Sequence, residues 1–262
     1  MLRLLPLLVV PVLVGCQSGS TPRASTAADS LALRVVDASG GMEAWDALPA
    51  LAFDWAFVRD SVEVVRVHHV WDKAGDRSRI EWPGGDDSVF VAVLVPSTFD
   101  PDAPDGRVAL NGVDLDGADR LERLVEGHRR FINDGYWLLA PLKVMDPGVR
   151  RDHNGTGREL ALSFDGVGLT PGDRYWLDLE PVSGSMTGWR YQLEGDTAVS
   201  RWEWIDPIDL PTTRGPLRLA TMKVRDGGGA VILTEPVAIE TLDETLFEDL
   251  SPRGWSADPD RP

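Results

Sequence analysis

A single cysteine, Cys16, stands in 262 residues, so the chain holds no internal disulfide and no thiolate cluster for a metal. Histidine is scarce too, with four copies. His68 and His69 are adjacent in a strand-like stretch, which sends them to opposite faces and spoils them as joint ligands of one ion. His128 and His153 show no ligand spacing with either, so neither a metal site nor a cofactor is expected. No apolar run approaches the about 20 residues that a membrane-crossing helix needs. Basic side chains are outnumbered: 26 Lys and Arg stand against 42 Asp and Glu, a net charge of −16. That charge repels phosphate backbones and makes nucleic acid a poor partner, although acid-rich surfaces also occur simply as an adaptation to saline habitats.

Signatures of catalysis are also missing. Residues 184–188 (GSMTG) lack the Gly-x-Ser-x-Gly spacing of a serine elbow, no triad assembles from spacing, and among so many acids nothing picks out a carboxylate pair. Asp114, Asp116 and Gly117 suggest a calcium loop, but placing Gly117 sixth puts Gly112 first and Arg123 last, where carboxylates are required. Asp100, Asp102 and Asp105 read as a solvated acidic loop. No catalytic residue is expected, and the chain is read as a non-enzyme.

What is present begins with an address. Arg3, the apolar residues 4–13 and the box Leu13-Val14-Gly15-Cys16 form a lipoprotein export signal, with Pro6 and Pro11 weakening the run as a membrane helix. Cleavage leaves Cys16 as the lipid attachment point, and two or more acyl chains, each contributing about 0.8 kcal/mol per buried methylene, suffice for stable anchoring. Gln17, where an Asp would favour retention at the inner membrane, points to the outer membrane facing the periplasm, or to the cell surface in a one-membrane bacterium. The expected organisation is a signal peptide at 1–15, lipidated Cys16 with a flexible tether to residue 28, one domain over 29–250 and a tail over 251–262.

Within the domain, Leu31, Val35, Ala38, Met42, Trp45 and Leu48 recur at helical steps, with Asp29 or Ser30 as cap and Gly40-Gly41 dividing the helix. After Pro49 the period becomes two, and turn chemistry separates about eleven strands, the first at Leu51, Phe53, Trp55 and Phe57 and the last over residues 230–239. A helical stripe over residues 117–133 and a short apolar segment over 136–145 interrupt them. The fold class that follows is mainly β (α+β): a curled antiparallel sheet forming a half-barrel, with an N-terminal helix and a central helical lid.

Taken in order, residues 40–45 (GGMEAW), 51–53 (LAF), 74–82 (AGDRSRIEW), 136–141 (YWLLAP), 175–178 (YWLD), Gly184 and 188–191 (GWRY) resemble the LolA/LolB-like superfamily of lipoprotein carriers and receptors. The resemblance covers roughly residues 29–239. It implies an apolar cavity under the helices that binds a lipid or acyl chain. The insertion at residues 99–106 (FDPDAPDG) and the chain's own N-terminal lipidation resemble the receptor or an orphan lipoprotein more than the soluble carrier.

Ten tryptophans give such a cavity candidate walls. The candidates are Trp45, Phe53, Trp55, Trp71, Trp82, Trp137, Trp176, Trp202 and Trp204, with Trp202 and Trp204 sharing one face. The alternative is a structural or interaction lipoprotein with a filled core and an unidentified protein partner; a hydrolase of envelope polymers comes third.

Overall fold

Apolar and polar residues alternate along strand after strand, and the short turns between most of them set each strand antiparallel to the next. A computed structural model describes residues 24–164 and 172–253; Cys16 and most of the expected tether lie outside the described residues. Helices α1 (Ala27–Ala38) and α2 (Gly41–Ala47) lead into β1 (Ala50–Arg59), β2 (Val62–Asp72), β3 (Arg77–Gly85), β4 (Ser88–Leu94), β5 (Arg107–Leu110) and β6 (Val113–Asp114). Helix α3 (Gly117–Lys143) follows, then β7 (Val149–His153), β8 (Glu159–Phe164), β9 (Arg174–Leu179), β10 (Met186–Gln192), β11 (Ser200–Leu210), β12 (Leu217–Arg225), β13 (Ala230–Ile239) and the single turn α4 (Thr245–Glu248).

The strands form one antiparallel sheet of 13, in the order β6-β5-β4-β3-β2-β1-β13-β12-β11-β10-β9-β8-β7. It is two meanders joined where β1 meets β13 in a ten-residue register from Ala50↔Ile239 to Arg59↔Ala230. Asp60-Ser61, Asp86-Asp87 and Asn111-Gly112 all carry positive φ, the mirror-type turns whose twist matches that of paired strands. The sheet curls without closing, as the half-barrel reading requires. The strands number two more than the sequence pattern gives, because β6 and the charged edge strand β7 are too short or too polar to alternate visibly.

Helices α1, α2 and α3 cover the inner face. α3 is about 40 Å long at 1.5 Å per residue and crosses both meanders. Its Leu124 and Phe131 pack with Val67, Ile80 and Trp82, while Leu138, Leu139 and Leu142 pack with Leu51, Leu160 and Leu177. The apolar segment at 136–145 is thus not separate; the helix runs through Asp134-Gly135 because Leu138 and Leu142 keep the helical spacing onto the sheet. A Cβ at Gly127 would stand 3.2 Å from the Trp82 ring, so this glycine sets how closely α3 approaches β3.

The cap of α1 also differs from expectation. Thr26 is the N-cap and Asp29 its N3 partner in a reciprocal capping box, so the helix begins inside the expected tether. Asp29 Oδ1 also accepts from Arg151 Nε at 2.7 Å. Hydrogen bonds from Ser25 and then Arg151 hold its carboxyl well below the usual 3.8. A depressed carboxylate stabilises the fold above its unfolded pKa and loses that contribution as pH falls. Asp29→Ala is expected to cost about 1 kcal/mol near neutral pH, diminishing below about pH 4, as read from thermal midpoints. An equal loss at every pH would contradict this.

Outside, the segment after β13 folds back over the sheet. Leu246, Phe247 and Leu250 cover Ala52, Val70, Val91 and Ala109. Ser251 O accepts from Arg79 and the Arg253 N–H donates to Glu81 at 3.1 Å, so the chain from 251 to 253 belongs to the fold rather than to a tail.

Candidate functional site

The pleat that sends Trp202 and Trp204 to one side of β11 also places Trp189 and Tyr191 of β10 and Tyr175 of β9 on that side, through the pairs Trp189↔Trp202 and Tyr175↔Tyr191. Across β12 and β13 stands Trp55 of β1. Trp137 descends from α3 into the middle of this group. Its ring lies 5.2 Å from Trp202, edge-on, 5.9 Å from Trp189 and 6.2 Å from Tyr191. Trp189 and Trp204 stack at 5.8 Å, 8° from parallel.

Aromatic rings bury large apolar area, but each indole also has one N–H to satisfy. Nε1 of Trp55, Trp189, Trp202 and Trp204 is buried here, and no described group accepts from any of them. An unpaired buried donor costs roughly 1–3 kcal/mol, which makes four of them around one ring cluster a costly arrangement.

Lys223 lies in the same group. Along β12 it is in phase with Leu217 and Leu219, and it faces Trp204 on β11 and Ile232 on β13. It is fully buried. Nζ donates to Ala220 O at 2.8 Å and to Thr234 Oγ1 at 2.6 Å, and lies 4.8 Å from the centre of the Trp204 ring. Burial pushes the amine well below its usual 10.5, with no carboxylate acting on it.

An unfolded chain therefore binds more protons here than the folded one, and stability rises with pH up to about 10.5. Lys223→Met is expected to stabilise the protein most at neutral pH, with the advantage shrinking as pH approaches about 10. Urea midpoints at a series of pH values check this; parallel profiles for the two proteins would refute it.

The structure divides the sequence-derived candidates. Trp55, Trp137, Trp202 and Trp204 meet in the aromatic group. Phe53, Trp71 and Trp82 face inward but are engaged elsewhere: Phe53 stacks on His69 at 4.4 Å, Trp71 meets Phe131 edge-on at 5.2 Å, and Trp82 packs against α3. Trp45 belongs to α2, 5.6 Å from Trp71, with the Lys73 ammonium 3.7 Å over its ring. Trp176 is on the wrong side. It pairs with Ala161, one residue out of phase with the inward Leu177, and lies on the outer face under the Arg190 guanidinium.

Trp189, one of the strand tryptophans, joins this group, and Tyr175, Tyr191 and Lys223 join it without having been singled out from the sequence. The signal for Lys223 was its phase with Leu217 and Leu219, which a charged side chain disguises.

Two more sequence readings gain a location. His68 bonds Asp54 on the outer face at 2.7 Å, whereas His69 Nε2 meets Asp134 of α3 at 2.9 Å inside, both groups buried. In the acidic loop, Asp100 accepts from the Asp102 N–H, and Asp105 from the Gly106 N–H and the Arg120 guanidinium.

No family model and no curated relative matches the chain. Among solved structures the chain is similar to a DUF1329 family protein from Desulfovibrio piger, at 11% identity and TM-score 0.45 over 84% of this chain and 95% of that one. It is similar to a LolA superfamily protein from Nitrosomonas europaea, at 10% identity and TM-score 0.39 over 85% and 98%. A domain described as outer membrane lipoprotein-sorting, from Vibrio parahaemolyticus, matches at 9% identity and TM-score 0.40 over 83% and 94%.

Proposed function

We propose that this chain is a lipid-anchored envelope lipoprotein whose half-barrel takes up the acyl chain of a lipid, or a similar apolar ligand, at its inner aromatic face. In this reading it binds and does not catalyse, and it works at the periplasmic face of the outer membrane, tethered through Cys16. One observation carries the binding role: the Trp55, Trp189, Trp202 and Trp204 indoles gather on one buried face with four N–H donors that no described group accepts. Ring faces suit hydrocarbon, and the donors suit the oxygens that accompany it.

The route in is supported by α3. Trp137, half-buried like Trp55, Tyr175 and Tyr191, sits between two weak points of the helix. Gly135 lowers helix propensity by roughly 1 kcal/mol, and Pro141 lacks the N–H that would bond the Trp137 carbonyl. In this reading the turn bearing Trp137 lifts, and the ligand takes the place of its ring.

Native mass spectrometry tests the reading on the full chain carrying Cys16→Ser, which removes the lipid attachment itself. Co-purified lipid that is lost in a folded Trp137→Asp variant is the expected result. Consistently empty protein, with no lipid taken up after delipidation, would overturn it and leave the rings as the filled core of a structural lipoprotein.

A further inference from the structure

We infer that the ligand of the aromatic face carries a single carboxylate, held by Lys223; the inference rests on the binding role proposed above. The Lys223 amine and the indole N–H groups of Trp55, Trp189, Trp202 and Trp204 are donors on one buried face, and no described carboxylate faces Lys223. Its two recorded partners are an amide carbonyl and a hydroxyl, both neutral. Charging this amine inside the fold calls for a counter-charge, because an unpaired buried cation is expensive.

The chemistry that completes such a set brings acceptors and one negative charge. A carboxylate does both: one oxygen faces the protonated amine, and its remaining lone pairs are free to accept from a neighbouring indole such as that of Trp204, the ring beside Nζ. A phosphate monoester brings up to two charges to one cation and matches less well. A neutral ester or alcohol brings acceptors but no charge that would hold Lys223 in its protonated form. The rings around the amine suit the hydrocarbon tail of the same molecule, so the ligand class is a long-chain carboxylic acid.

The test compares three probes of equal chain length, laurate, dodecan-1-ol and dodecyl phosphate, by titration of tryptophan fluorescence in the full chain carrying Cys16→Ser. Laurate is expected to bind at least about tenfold more tightly than dodecan-1-ol, as a charge-assisted hydrogen bond in a buried site supports. Dodecyl phosphate is expected to fall below laurate. In Lys223→Met the ratio of laurate to dodecan-1-ol affinity is expected to fall to about one.

Equal binding of laurate and dodecan-1-ol by the unsubstituted face would overturn the carboxylate and leave acyl-chain binding standing. Phosphate binding as tight as laurate would also overturn it. A preference that survives Lys223→Met would overturn the role of Lys223, and failure of all three probes to bind would overturn both readings. Because the first comparison needs no substitution at Lys223, it holds whether or not the variant folds.

Discussion

Arg79→Met is expected to lower unfolding free energy by about 4 kcal/mol, measured by urea denaturation, because it breaks a buried ion pair from one side. Arg79 is 1% exposed on the outer face of β3. Its Nε donates to Glu81 at 2.7 Å, and its terminal nitrogens donate to the carbonyls of Leu246, Asp249 and Ser251 at 2.8, 2.6 and 2.7 Å. One guanidinium thus neutralises a buried carboxylate and fastens the C-terminal segment to the sheet. Methionine fills much of the volume but supplies none of the donors.

The double variant Arg79→Met/Glu81→Leu is expected to recover part of the loss, since removing both charges is less costly than stranding one. Limited proteolysis between residues 242 and 253 is expected to accelerate in the single variant. A single variant within about 1 kcal/mol of the parent would refute this account of the outer face.

Asp134→Ala is expected to cost about 3 kcal/mol, the range for removing a charged hydrogen-bonding group and leaving its buried partner exposed to no water. Asp134 is the polar link from α3 to the sheet beneath it: Oδ2 meets His69 Nε2 at 2.9 Å, and Oδ1 accepts from Asn133 Nδ2 at 2.9 Å. Phe53 and Phe131 close around His69. Asp134→Asn keeps an oxygen and an amide at the same place and is expected to retain most of the stability. Hydrogen exchange along α3 from about residue 128 to 142 is expected to quicken in the Ala variant, since the helix loses its polar attachment next to Gly135. Unchanged exchange there, with unchanged global stability, would show that α3 is held by its leucines alone.

Both expectations concern groups that sequence patterning had no means to single out. His69 was legible as facing away from His68, because a strand alternates. Its partner was not, since Asp134 lies 65 residues on and sits where the Asn-Asp-Gly sequence suggested a break. Arg79 and its three carbonyls are 167 to 172 residues apart, beyond any local period. The site divides in the same way. Trp202 and Trp204 were paired by their spacing alone, but their meeting with Trp55 depends on the two intervening strands, and with Trp137 on α3 continuing past Gly135. Trp176 was misassigned because an aromatic strand such as Tyr175-Trp176-Leu177 offers rings to both faces, and only pairing with β8 fixes which one turns inward.

By itself the sequence determined most of the strands and the turn chemistry between them, the antiparallel pairing of neighbours and the helical lid; the export signal it predicts lies outside the described residues. Each rests on interactions between residues a few positions apart, where composition and period carry the physics. Tertiary structure alone decided that β1 lies against β13, that α3 spans both meanders and that the C-terminal segment covers the outer side of the first meander. It also decided that Lys223 is interior. A lysine's charge argues for solvent, and only the sheet's curl together with the overlying helix buries the amine among the tryptophans.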